Sequence, residues 1–432
     1  MEVKVEVTQG LERRMTVTLP DSGIDTQVEK RLNRIAKTAR MEGFRPGKVP
    51  RKIIQQRYKD QVTAEVMSDV VQSSYGEALS KEDIQPASGP TLQSQDIKDD
   101  NAFEYAVTFE VYPEIELKGL DKIEVEKPVV EIVEDDIDKM ILTLRQQRVS
   151  WETVDRESQK DDRIIVDFDG SIDGENFDGG STKGMPIVLG SGTMLSDFED
   201  NLIGLKAGAE KTFTIEFPKD YHAEKIAGKQ AEFNVKVNSV SAPVLPQVDD
   251  EFAKAFGVEG GVEKLREEVR DNMQRELDQA VRVQIKNQVM EGLLSQNEVD
   301  VPNALVDEEI QRLREASLRD MKRVGDMKMP DLPMAAFEDE ARRRVALGLL
   351  VAEIVKAHEI KPDAGKLDQE IKNIAATYEQ PAAVEQAYRD KPELRQSVEA
   401  AVVENQVVET LLEQVKVKDV EKNFYDVVQS RV

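Results

Sequence analysis

The sequence predicts a multidomain α+β protein, and three observations carry that reading. At 432 residues the chain exceeds one ordinary domain and allows about two to four. Apolar residues recur at period two near the N-terminus and again from Phe103, with helical spacing between. Beyond about residue 161 the texture turns to short alternating runs and glycine turns, and beyond Pro246 to helical periodicity throughout.

In chain order, Val3, Val5 and Val7, then Met15, Val17 and Leu19, read as two half-buried strands joined through Gln9-Gly10. Asp21 or Ser22 is suited to cap a helix whose apolar positions are Ile24, Val28, Leu32, Ile35 and Ala39. The stretch GFRPGKVP at 43–50 holds two glycines and two prolines and is predicted to be a loop. A further helix carries Val62, Val66, Val70 and Leu79, and Phe103 to Val111 forms a strand. Residues 1–112 thus make one α+β domain. Residues 113–149 read as a connector, with an extended IEVEKPVVEIVE run, in which Pro128 argues against a central strand, and a helix bearing Ile137, Ile141 and Leu144. Such a segment is expected to lie along another domain's surface. Residues 150–245 form a β-rich module with a hairpin at Asp173-Gly174 and a short helix within MLSDFEDNLIGLKAG. Residues 246–432 are helical, led by a stripe from Val262 through Leu265, Val269, Met273, Leu277, Val281, Ile285 and Val289 to Leu293.

Composition narrows function. A net charge of −26 excludes a chain that coats nucleic acid with its whole surface, so any such contact is local. Lys30, Arg31, Arg34, Lys37 and Arg40 precede the GFRPGKVP loop and Arg51, Lys52, Arg57 and Lys59 follow it. Either this is a solvated helix face or it meets an anionic partner. Within the loop, Phe44, Arg45 and Lys48 combine an aromatic face with two cations; a solvated turn is the plain alternative. Cysteine is absent and only His222 and His358 are present, which gives no support to a cysteine nucleophile, a histidine metal site or a Ser-His-Asp triad, and no metal or cofactor is expected. No stretch reads as a signal peptide or a membrane span, and a cytoplasmic location is expected.

Aromatic residues are only 5% of the chain, yet Phe168, Phe177, Phe198, Phe213, Phe217, Tyr221 and Phe233 fall in the β-rich module. Core packing accounts for some of them; Tyr221 in a polar loop and Phe198 on a short helix fit that role less well. The module resembles the FKBP family of peptidyl-prolyl isomerases through VDFDGSIDGENFDGG, LGSGTMLSDFEDNLIGLKAGAEKTF and FPKDYHAEKIAGK. The resemblance implies a pocket of Phe168, Phe177, Asp178, Met194, Leu195, Phe198, Tyr221 and Phe233. Two positions depart from the family pattern: Met185 stands where a phenylalanine is usual, and Phe198 where many stand-alone members carry tryptophan.

The order of modules and the GFRPGKVP signature resemble the trigger factor family of ribosome-associated bacterial chaperones. That resemblance implies an N-terminal ribosome-binding domain, an FKBP-like isomerase domain and an extended all-helical C-terminal chaperone domain. It implies docking by Phe44, Arg45, Pro46, Gly47 and Lys48 on a large-subunit protein and nearby ribosomal RNA at the exit tunnel, and shelter of nascent and unfolded chains without nucleotide, in keeping with the lack of a P-loop pattern. It leaves open a homodimer of the free protein. The alternatives are a stand-alone FKBP-type isomerase whose helices dimerise it, and a scaffold carrying an inactive FKBP-like module.

Overall fold

The structure is a computed structural model of the chain. It describes residues 1–20, 23–39, 44, 49–97, 102–219, 221, 226–324, 332–376, 378 and 380–429, with Asp178, Arg323 and Val324 described by backbone alone. The expected cap at Asp21 or Ser22 and most of the GFRPGKVP loop lie outside the described residues. Two compact units emerge, one of Met1–Lys127 with Val283–Val420 and one of Pro128–Arg282 with Glu421–Val432.

In the first unit β1 (Glu2–Gln9) and β2 (Glu12–Leu19) form the expected hairpin, turning at Gly10 with φ 53°, a left-handed conformation that glycine adopts without a Cβ clash. Helices α1 (Ile24–Thr38) and α2 (Arg51–Glu82) follow, then β3 (Thr91–Ile97) and β4 (Phe103–Glu110). The antiparallel sheet runs β1-β2-β4-β3. Met15 and Val17 of β2, Phe103, Tyr105 and Phe109 of β4, and Leu32, Ile54, Val62 and Val66 of the helices share one core. Each buried side chain of this size contributes about 1.5–3 kcal/mol. Strand β3 was not foreseen: its sequence TLQSQDI is polar and all its residues are exposed, so it has no buried face to create a period-two pattern.

Pro128 does sit in a strand, β5 (Glu124–Val129), but in a sheet of only two strands, where a missing N–H is tolerated. Helix α3 (Glu134–Gln147) follows. The connector is more deeply used than expected. Ile123 and Val125 are buried among Val289, Leu293, Val407 and Leu411, while Ile132, Ile137 and Ile141 are buried among Phe252, Leu265, Val269 and Phe424.

The β-rich module comprises β6 (Ser150–Thr153), β7 (Arg163–Ile172), β8 (Glu175–Val188), α4 (Ser196–Leu202), β9 (Glu210–Glu216) and β10 (Gln230–Val244). Asp173-Gly174 makes the β7–β8 turn with both φ positive, as a type I′ hairpin requires. The long strand β10 pairs with β7, β9 and β6, and its inward residues Ala231, Phe233, Val235 and Val237 centre the core.

After the short α5 (Asp250–Ala255), helix α6 (Gly261–Gln296) carries the predicted stripe: Leu265, Val269, Met273 and Leu277 belong to the core around Phe252, Val289 and Leu293 to that around Val125. Helices α7 (Asn303–Val324), α8 (Glu338–Ala357), α9 (Ala364–Ala375), α10 (Pro381–Asp390) and α11 (Pro392–Leu412) complete the helical region. On α8 the buried residues include Leu350 and Ile354, with Leu349 only partly covered. One strand, β11 (Lys416–Glu421), interrupts this region and pairs with β5; α12 (Phe424–Gln429) follows. Among the described residues no helix is long and apolar enough to cross a membrane.

Candidate functional site

Six of the clustered aromatics, Phe168, Phe177, Phe198, Phe217, Tyr221 and Phe233, line one cleft of about 470 Å³. Strand β7 supplies Phe168, β8 supplies Phe177, α4 supplies Phe198 and β10 supplies Phe233. Phe198 packs edge-on against three rings: its ring centroid lies 5.5 Å from that of Phe168, 5.2 Å from Phe233 and 5.4 Å from Phe213, while Phe233 also meets Phe168, Phe177 and Phe213. Edge-to-face packing sets the positive rim of one ring against the negative face of another and fixes each ring against rotation. The rings of Phe177 and Phe217 are 6.0 Å apart, and Tyr221 tilts against Phe217 at 4.8 Å. Backbone bonds from Phe217 N–H to the Lys229 carbonyl and from Tyr221 N–H to the Pro218 carbonyl hold that part of the rim.

One glycine is demanded by this packing. A Cβ on Gly170 would stand 2.6 Å from the Phe233 ring, so only glycine lets β7 pass that close.

Of the residues expected in the pocket, Phe168, Phe177, Met194, Leu195, Phe198, Tyr221 and Phe233 all line the cleft. The Asp178 side chain lies outside the described residues. Met185 on β8 pairs with Val166 of β7 and packs half-buried on the module's core; it is not among the lining residues. Gly179, Gly192, Thr193, Ile215, Phe217 and Ile226 also line the cleft and were not assigned to it from sequence. Phe217 carried a signal, as one of the clustered aromatics; Ile215 and Ile226 carried none beyond ordinary core hydrophobicity.

Tyr221 is the one titratable side chain among the described lining residues. The cleft can therefore enclose an apolar ring and exclude water, and its described lining residues offer no acid, base or nucleophile pair.

A second feature lies in the N-terminal domain. Phe44 is 38% exposed, whereas Arg45, Pro46, Gly47 and Lys48 lie outside the described residues. Lys30, Arg34 and Lys37 on α1 and Lys52, Arg57 and Lys59 on α2 are exposed. The face is less basic than its sequence suggests, because Arg31 pairs with Asp69 and Glu65 and Arg51 with Glu29.

The helical region presents a third. Between α7 and α8 a cleft of about 310 Å³ has an apolar floor of Leu305, Val345 and Leu349 beside Gly348, and a charged rim of Glu308, Glu309, Arg312 and Arg344. Met321, Met334, Tyr378 and Leu394 are exposed on the same helical region.

Comparison with known proteins gives a consistent result. The family model for bacterial trigger factor protein matches residues 1–144, that for the bacterial trigger factor C-terminus residues 261–413, and that for FKBP-type peptidyl-prolyl cis-trans isomerase residues 154–238. The trigger factor of Pseudoalteromonas atlantica is 46% identical over 435 residues, spanning all of both chains. That of Thioalkalivibrio sulfidiphilus is 46% identical over 432 residues, spanning all of this chain and 99% of its own. A solved structure of the trigger factor chaperone, described for promiscuous substrate recognition in folding and assembly, superposes with a TM-score of 0.50 at 20% identity over 96% of this chain and 99% of its own, a likeness of fold.

Proposed function

The chain belongs to the trigger factor family, a ribosome-associated chaperone with an FKBP-type peptidyl-prolyl isomerase domain, and we propose which of its residues perform each task. The observation that carries the isomerase assignment is the cleft centred on Phe198. An X-Pro amide rotates over a barrier of about 18–20 kcal/mol because resonance flattens it. A twisted amide has less charge separation than a planar one, so a site that holds the proline ring dry favours the twisted form. Phe168, Phe177, Phe198 and Phe233 form the apolar walls, Tyr221 closes the rim, and Met194 and Leu195 border the chain entering the cleft. Asp178 is proposed to orient a neighbouring group from the β8 edge.

Phe44, Arg45, Pro46, Gly47 and Lys48 are proposed to dock beside the ribosomal exit, Phe44 against the large-subunit protein and the cations of α1 and α2 toward nearby RNA phosphates. The exposed cations on both helices support this, and their screening by salt makes docking salt-sensitive. The α7–α8 cleft is proposed to take apolar segments of nascent chains, with its charged rim facing water around them. The same surface is available to a second copy when no client is bound, so a homodimer of the free protein belongs to the proposal, as does a cytoplasmic location. We place the domains at 1–112, 113–149, 150–245 and 246–432, boundaries that leave β4 and β10 whole. A stand-alone isomerase with a dimerising helical domain is not favoured, since trigger factor matches lie on both sides of the isomerase module.

The test is co-sedimentation with ribosomes. Replacing Phe44, Arg45 and Pro46 together by alanine should abolish pelleting and leave isomerase activity intact; undiminished pelleting would refute the docking assignment.

A further inference from the structure

Next to Phe198 on α4 stands a carboxylate that no part of the isomerase reading uses. Glu199 is only 3% exposed, and burying an ionised carboxylate is costly unless donors replace its lost water. Three backbone N–H groups do so. Gly190 donates to Oε2 at 2.7 Å, Gly192 to the same oxygen at 3.3 Å, and Met194 to Oε1 at 2.9 Å. Alternate residues of one loop thus turn their N–H groups inward to form an anion-binding nest filled by the protein's own side chain. The nest requires its glycines, for Gly190 has φ 85° and Gly192 φ 72°, conformations that L residues rarely adopt.

This loop is one wall of the cleft: Gly192, Thr193, Met194 and Leu195 all line it. Glu199 does not line it; its neighbour Phe198 does. One short helix therefore supplies the floor of the cleft and the group that fixes its wall. A loop with two left-handed glycines has many other conformations available, and a wall left to sample them would have to be ordered each time a peptide bound.

We propose that Glu199 is a positioning residue of the isomerase site, whose carboxylate pre-sets the Gly190–Leu195 wall for an X-Pro segment. The inference rests on the reading of the aromatic cleft as that site. It predicts a cost in binding rather than in turnover, because the ordering of the wall is then charged to substrate association. A glutamine cannot do the same work: its one carbonyl oxygen still accepts, but its NH₂ faces N–H donors.

The experiment is steady-state isomerisation of an X-Pro tetrapeptide by the full chain and by Glu199→Gln. KM should rise about tenfold, the factor that 1.4 kcal/mol represents, with kcat reduced less than about threefold. In the same variant the amide resonances of Gly190, Gly192 and Met194 should move while those of β10 stay. An unchanged KM overturns the inference, whether kcat is intact or reduced, since a merely destabilised module loses active enzyme without changing KM. If Glu199→Gln does not fold, Gly192→Ala carries the test: nothing lies within 4 Å of its added Cβ, so the substitution strains the nest without a clash and should raise KM in the same way. A Phe198→Ala control separates the two failures. Retained kcat/KM there refutes the cleft as the site; activity lost there but KM unmoved in Glu199→Gln refutes the role of Glu199 alone.

Discussion

Phe198→Ala tests the packing of the cleft quantitatively. The side chain is 1% exposed, with three rings at 5.2 to 5.5 Å, so truncation opens a cavity that those rings cannot fill without leaving their edge-on geometry. Phe→Ala in a core costs about 3–5 kcal/mol, and the loss of three ring pairs places this site at about 4 kcal/mol. Against a domain stability of about 5–15 kcal/mol the module remains folded but marginal. With a urea dependence of about 2 kcal/mol per molar, the midpoint should fall by about 2 M. The chain provides its own probe. Trp151 is its single tryptophan, lies on β6 of this module and carries the Arg163 guanidinium 4.9 Å above its ring, so its fluorescence follows this module's unfolding. A midpoint shift below about 0.5 M would show that these three ring contacts do not hold the module together.

Other perturbations give further tests. The Tyr75 hydroxyl is buried without a hydrogen-bond partner among the described residues, and burial pushes its pKa up to about 12. The folded state thus holds that proton more tightly than the unfolded chain, a stabilisation present below pH 10 and lost as pH rises through 12. Tyr75→Phe should leave stability at pH 7 unchanged or up to about 1 kcal/mol higher and should reduce the loss between pH 7 and 11 in thermal melts; a loss above 1 kcal/mol at pH 7 would mean that the hydroxyl has a partner. Tyr105 offers the contrast, since its hydroxyl lies 2.8 Å from Ser74 Oγ and Tyr105→Phe should cost about 1 kcal/mol in the same melts. Glu110, at the end of β4, accepts bonds from Asn303 Nδ2 at 3.0 Å and from the Ala304 N–H at 2.8 Å in the first turn of α7. Glu110→Ala should speed amide exchange there about tenfold, and unchanged exchange would show that this bond does not hold the helix end.

What could be read from the sequence follows from which interactions are local. The β1–β2 hairpin and the α6 stripe were legible because burial of one face imposes a period on neighbouring residues. Strand β3 was not, because an exposed edge imposes none, and β11 was not, because its partner β5 is remote from it in sequence. The charge on α1 was overestimated for the same reason: Glu65 and Asp69 reach Arg31 only after α2 folds back. The pocket aromatics were found through family resemblance. Gly170 and Glu199 were not found, since one acts by what it lacks and the other by bonds to a loop.

In the proposed mechanism this cleft accelerates rotation about X-Pro bonds by desolvation, without proton transfer. The pH dependence of kcat/KM for an X-Pro tetrapeptide, measured on the full chain, addresses it most directly. Catalysis should be present and vary by less than about twofold from pH 6 to 9, because no acid–base pair lines the described cleft. A bell-shaped profile, or a rate no faster than that of the free peptide, would contradict it.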